Sequence, residues 1–189
     1  MNLLELFLIA IGLSMDAFAV SICIGLSMQK RSIGKALIVG LYFGGFQALM
    51  PLIGYFFGIQ FADKIAAYDH WIALILLGLI GAKMIKESIF APETCPSSTA
   101  SPLHFKTMFP LAIATSIDAL AVGISFSFFN VDIGFSVLLI GLVTLIFSMI
   151  GVKIGTMFGL KIKKKAEFTG GLILILIGLK IVLEHTGIL

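Results

Sequence analysis

Charge is what this sequence has least of. Of its 189 residues only 12% are Asp, Glu, Lys or Arg, whereas 59% are hydrophobic, and the mean hydropathy is +1.13. Soluble domains carry roughly 25% charged residues, and at half that level too little polar surface remains to cover a globule of this size. A soluble enzyme, a nucleic-acid-binding domain and a disordered chain are excluded on this ground. Cysteine is nearly absent. Cys23 and Cys95 show no CxxC spacing, make no disulfide framework, and read as unpaired small residues. Histidine is down to His70, His104 and His185, none paired at metal-ligand spacing, which disfavours a histidine-built zinc site. The chain also lacks a GxxxxGK[ST] phosphate loop, an HExxH motif, a Ser/His pair and a catalytic cysteine environment. No nucleotide coupling within the chain, no resident cofactor and no enzymatic activity are expected.

What is present is apolar length. A helix needs about 20 mostly apolar residues to cross a hydrocarbon core of about 30 Å, and six such segments read out at 6–28, 36–60, 70–89, 108–129, 134–160 and 168–187. None shows the period-two alternation of a membrane barrel strand. The fold class expected is therefore all-α and integral to the membrane. The first segment is no cleavable signal, because it carries Glu5 in place of a basic lead and holds Asp16 within a long apolar run.

The basic residues sort by loop. Lys30, Arg31 and Lys35 lie between spans one and two, Lys86 and Lys106 flank the loop between three and four, and Lys161, Lys163, Lys164 and Lys165 lie between five and six. The other two connections hold Asp63, Lys64 and Asp69, then Asn130 and Asp132. The positive-inside rule puts the basic loops in the cytoplasm and both termini outside. Anionic lipid and orientation account for these clusters without a nucleic-acid partner. Residues 91–107, rich in Pro, Ser and Thr, form a cytoplasmic linker between a first unit, 1–90, and a second, 108–189. Nothing in the sequence sets an oligomeric state.

Those two units repeat each other. Span one reads Ser14-Met15-Asp16-Ala17-Phe18-Ala19-Val20-Ser21-Ile22 and span four reads Ser116-Ile117-Asp118-Ala119-Leu120-Ala121-Val122-Gly123-Ile124, an S-x-D-A-x-A-V-x-I pattern at an offset of 102. Gly40, Gly54 and Gly58 match Gly141, Gly155 and Gly159 at an offset of 101. Lys83 and Glu87 match Lys180 and Glu184 in the third pair. With three crossings per unit, the second enters from the opposite side, so six helices are expected as two inverted-topology three-helix repeats. That architecture places transporter sites near the midplane, at the repeat interface.

Asp16 lies about ten residues, or about 15 Å, into its span, and Asp118 lies equally deep in the opposed one. An ionised carboxylate at the bilayer centre costs about 2.5–3.5 kcal/mol on insertion scales. Gly12, Asp16, Ala19 and Cys23 form one helical stripe, and Ala114, Asp118, Ala121 and Ser125 form its equivalent. These small residues are expected to let spans one and four approach and bring the carboxylates together. Such a pair needs a cation or a shared proton. A divalent-metal or proton site is one reading; protonated carboxyls bonding helix to helix are the other. Ser14, Met15, Thr115, Ser116 and Gln47 are the supporting ligands to consider, with Gln47 aligned to Ser148. Each hydroxyl has its own i−4 carbonyl as a competing partner, and Met15 also serves as packing. Lys83/Glu87 and Lys180/Glu184 read as i,i+4 pairs that neutralise each other, or as gates.

On these residues the chain resembles the manganese efflux pump (MntP) family. Gly12-x-Ser14-Met15-Asp16-Ala17-Phe18-Ala19, the Gly44…Gln47…Pro51-Leu52-Ile53-Gly54 stretch, and Ala114-Thr115-Ser116-Ile117-Asp118-Ala119-x-Ala121-Val122-Gly123 carry the resemblance, which covers essentially the whole chain. It implies a multi-pass bacterial inner-membrane or plasma-membrane protein that exports Mn2+ as transported substrate, with Asp16 and Asp118 as the motif aspartates. The family is similar to the wider LysE-type exporters, so the scaffold alone does not fix the substrate. Some relatives have Glu where this chain has Gln47. The expectation is a secondary exporter coupled to protons; its alternatives are an exporter of another cation or small basic metabolite, and a non-transporting structural membrane protein.

Overall fold

In a computed structural model of the chain, residues 3–28, 32–60, 103–129 and 131–158 are described, together with single residues between 74 and 89 and between 168 and 183. Five helices are continuous among the described residues: α1 (Leu3–Ser27), α2 (Ile33–Ile59), α3 (Phe105–Thr115), α4 (Ile117–Phe126) and α5 (Ile133–Phe158). With α3 and α4 taken together as Phe105–Phe126, four segments among the described residues are long and apolar enough to cross a membrane. No strand occurs among the described residues. The four match predicted spans one, two, four and five. Predicted spans three and six lie largely outside the described residues, as does most of the linker; its last residues are already helical from Phe105.

The helices are hydrophobic all round because each has a lipid side and a protein side. Leu41, Phe56, Leu138, Leu142 and Ile146 face outward, an arrangement that water would not tolerate at this extent. What brings backbones together is glycine. A Cβ on Gly151 of α5 would lie 2.8 Å from the Phe18 carbonyl of α1, and Gly155, one turn on, sits against the Ile22 carbonyl. Contacts climb both helices together, so α1 and α5 run parallel. Gly54 of α2 likewise sits against Leu120, and Gly58 against Ile124 and Ser127, making α2 and α4 parallel. Between α2 and α5 the register reverses: Gly40 faces Leu145 and Met149, and Gly141 faces Gly44 and Ala48.

These contacts survive exchange of the two sequence repeats. An offset of 101 carries Gly40, Gly44 and Ala48 onto Gly141, Leu145 and Met149, so the α2–α5 contacts map onto themselves. Gly155 against Ile22 becomes Gly54 against Ile124, also observed. The expected intimate packing of span one on span four is corrected: α1 packs chiefly on α5, and α4 on α2. Glycines on all four helices permit the close approach: Gly25 of α1 sits against Val152 of α5 and Gly123 of α4 against Pro51 of α2, beside the contacts of Gly54 and Gly155.

Of three apolar clusters among the described residues, two sit one above the other, while the third, Met15, Phe18 and Ile22 of α1, packs toward Phe147 and Ile154 of α5. Leu6, Ile9, Ala10 and Leu13 of α1 pack with Ala119, Val122 and Phe126 of α4. Ala17 and Ile24 of α1 pack with Val39 and Phe43 of α2 and with Met108 and Ala112 of α3. The clusters part between Leu13 and Ala17 on α1 and between Ala112 and Ala119 at the α3–α4 junction. Cys23, expected to be unpaired, is disulfide-bonded. The sequence's other cysteine, Cys95, lies outside the described residues, and a pairing without local spacing leaves no signature to read.

Candidate metal site at a helix break

The seam between the two clusters is polar. On its α3–α4 side the chain leaves helical geometry: Ser116, between Thr115 and Ile117, has φ −113° and ψ 7°. The last turn of α3 tightens, with the Ser116 N–H donating to the Ile113 carbonyl at 3.0 Å and the Thr115 hydroxyl to the Ala112 carbonyl at 3.2 Å. The Ser116 hydroxyl leaves its own helix and donates to Gln47 Oε1 at 2.8 Å. Gln47, completely buried in α2, donates through Nε2 to the Leu13 carbonyl of α1 at 2.9 Å. One amide thus ties α1, α2 and the break into a single network.

Asp118 falls in the first turn of α4 because of that break. Its Oδ1 accepts from the Ala119 N–H at 2.8 Å, a donor that in an unbroken helix would serve the Thr115 carbonyl. The positive end of the helix dipole adds to the hold on a carboxylate at this position. Asp118 is only 7% exposed, and its Oδ2 is buried without a partner. A buried acceptor left unmatched costs about 1–3 kcal/mol, and more when charged. Asp16, half-buried on α1, and the exposed Lys83 both lie close enough to act electrostatically on Asp118.

The remaining candidates divide. The buried Ser14 hydroxyl donates to the Ile11 carbonyl of its own helix at 2.7 Å, so it and Thr115 offer only lone pairs to a ligand. Met15 packs with Phe18 and Ile22 in an apolar cluster. Ser148, the repeat counterpart of Gln47, is buried without a partner, as is Thr144 one turn before it. Glu87, Lys180 and Glu184 lie outside the described residues.

Two features were not read from the sequence. One is the break itself. The other is a main-chain oxygen: Pro51, inside α2, has no N–H and follows Gln47 by four residues, so the Gln47 carbonyl lacks its helical donor. The Gln-x-x-x-Pro spacing was the available signal. No cluster of three or more His, Cys, Asp or Glu occurs among the described residues. The donors at the seam are oxygens of two carboxylates, hydroxyls and an amide, a set that suits a hard divalent cation such as Mn2+, Mg2+ or Ca2+ over a thiophilic one.

Known proteins match along the chain. The Mntp family, described as "Putative manganese efflux pump", matches residues 29–182. Proteins named "Putative manganese efflux pump MntP" include one from Desulfitobacterium hafniense (strain Y51), 59% identical over 189 residues, covering 100% of this chain and 98% of the relative. One from Mannheimia succiniciproducens is 56% identical over 186 residues, 98% of each chain. One from Campylobacter jejuni subsp. jejuni (strain 81-176) is 57% identical over 185 residues, again 98% of each. No solved structure matches.

Proposed function

This chain belongs to the Mntp family, and from that membership we propose that it is a secondary transporter that exports Mn2+ from the cytoplasm in exchange for protons. The observation that carries the reading is the buried, unpartnered Oδ2 of Asp118 at a helix break, within electrostatic reach of Asp16. A carboxyl that bonded helix to helix would engage a partner on another helix, whereas the hydrogen bond Asp118 makes is to the Ala119 N–H of its own helix. Mn2+ takes Asp118 and Asp16 as its anionic ligands, and the second Gln47 Oε1 lone pair and the Ser14, Thr115 and Ser116 hydroxyl oxygens complete an oxygen shell. Met15 contributes packing. One proton on each carboxylate neutralises the emptied site as the dication did, so protonation on the outer side favours release.

The framework for movement is six helices in two inverted repeats, 1–90 and 108–189, joined by the linker 91–107. The exchange symmetry of the α1–α5, α2–α4 and α2–α5 contacts supports this framework. Both termini lie outside and the basic loops face the cytoplasm. Ser14 and Ser116 hold equivalent positions, yet α1 runs unbroken through Ser14 while the other repeat breaks at Ser116. Rocking of the halves exchanges these conformations, breaking span one and straightening span four, and so turns the site from one face to the other.

The test is Mn2+ flux in proteoliposomes, with and without an imposed proton gradient, for wild type, Asp16→Asn and Asp118→Asn. Gradient-dependent flux in wild type, lost in both folded variants, is expected. Unchanged flux in both variants removes the site, and failure of both to fold favours the helix-bonding role.

A further inference from the structure

Away from the aspartates, a groove of about 530 Å³ runs between the start of α2 and the end of α5. Its walls are apolar, formed by Ile33, Ala36, Met149 and Val152, with Ser32 and Lys153 among the lining residues. It opens outward: Ile33 is 82% exposed and Lys153 is exposed. Its volume falls in the range of pockets that take small ligands, roughly 300–1,000 Å³. Both helix ends adjoin basic connections, so the groove lies at the cytoplasmic edge of the hydrocarbon core.

On the two helices that form its walls, charge has one sign. Neither α2 nor α5 contains an Asp or Glu, and their only ionisable cations are Lys35 and Lys153. The Ser32 side-chain oxygen accepts from the Lys35 N–H at 3.4 Å, and its hydroxyl hydrogen stays available for an acceptor. Lys153, set back within the last turns of α5, can extend its ammonium to the headgroup level while its stem lies along the apolar wall. An apolar slot beneath an ammonium and a hydroxyl, with no carboxylate on either wall, matches an acyl chain beneath a phosphate.

We propose that this groove is a binding site for one anionic phospholipid of the cytoplasmic leaflet, with an acyl chain between α2 and α5 and the phosphate on Lys153 and Ser32. The site rests on the membrane placement above and not on the identity of the transported ion, so lipid binding and Mn2+ flux succeed or fail separately. The full-length protein is extracted from bilayers holding equal phosphatidylglycerol and phosphatidylcholine, and native mass spectrometry counts the lipids retained. Wild type is expected to keep one phosphatidylglycerol in preference to phosphatidylcholine. Lys153→Ala should cut that preference roughly fivefold, Lys153→Glu should abolish it, and Lys153→Arg should restore it. Lys106→Glu, a charge reversal outside the groove, should leave it intact. Glycerophosphoglycerol, the headgroup without chains, should not displace the lipid. Equal retention of the two lipids by wild type, an undiminished preference in Lys153→Glu, or displacement by the chainless headgroup would overturn the proposal.

Discussion

The bond between Gln47 and Ser116 can be weighed by a double-mutant cycle of Gln47→Leu and Ser116→Ala. Gln47→Leu keeps the side chain near its volume and removes two hydrogen bonds, at 2.9 Å to the Leu13 carbonyl and at 2.8 Å from the Ser116 hydroxyl. The Leu13 carbonyl keeps its helical donor, so that loss costs about 0.6 kcal/mol, the average for bonds inside membrane proteins. The Ser116 hydroxyl, fully buried, is left without its acceptor, for about 1–3 kcal/mol. Gln47→Leu therefore loses about 1.6–3.6 kcal/mol. Ser116→Ala, which strands the Gln47 Oε1, loses about 1–2 kcal/mol. The double variant strands neither partner across this bond, so it should be more stable than the sum of the singles by about 1 kcal/mol. Reversible unfolding in mixed micelles, followed by helical circular dichroism, measures all four corners. Additivity within about 0.3 kcal/mol, the level of uncoupled sites, would refute the tie between α2 and the break.

Other outcomes follow from the same geometry. Gly155→Leu and Gly54→Leu drive side chains into the Ile22 and Leu120 carbonyls; each should destabilise by at least about 1–3 kcal/mol, while Gly45→Ala, with nothing within 4 Å, should be neutral or slightly stabilising in the same unfolding assay. A neutral Gly155→Leu would disprove the close α1–α5 seam. In a Cys23→Ser, Cys95→Ser background, Lys35→Cys should react with an impermeant maleimide only from the cytoplasmic side and Asp132→Cys only from outside. The reverse pattern would invert the assigned topology.

Asp16 and Asp118 stand out in the sequence because a carboxylate deep in an apolar span has few explanations, and two at matching positions of a repeat have fewer; the structure adds that each lies within electrostatic reach of the other. The parallel and antiparallel registers were prefigured by glycines at Gly40, Gly54, Gly141 and Gly155, which the repeat aligned without saying what they touch. The break at Ser116 was hidden for a physical reason. Ser14-Met15-Asp16 and Ser116-Ile117-Asp118 share one pattern, yet the first stays helical and the second does not. The difference is made across the bundle: Gln47 reaches Ser116, whereas its counterpart Ser148 bonds nothing and Ser14 turns back to Ile11. Local sequence cannot report a bond whose partners lie 69 residues apart.

The most direct test of the central claim is equilibrium Mn2+ binding to the purified protein, read by the loss of the free-ion signal in electron paramagnetic resonance. One Mn2+ per chain should bind in wild type, and it should be lost in Asp118→Asn and in Asp16→Asn while their helical content and unfolding midpoints stay near wild type. A folded Asp118→Asn protein that binds Mn2+ as wild type does would contradict the assignment of the buried Oδ2 as a ligand.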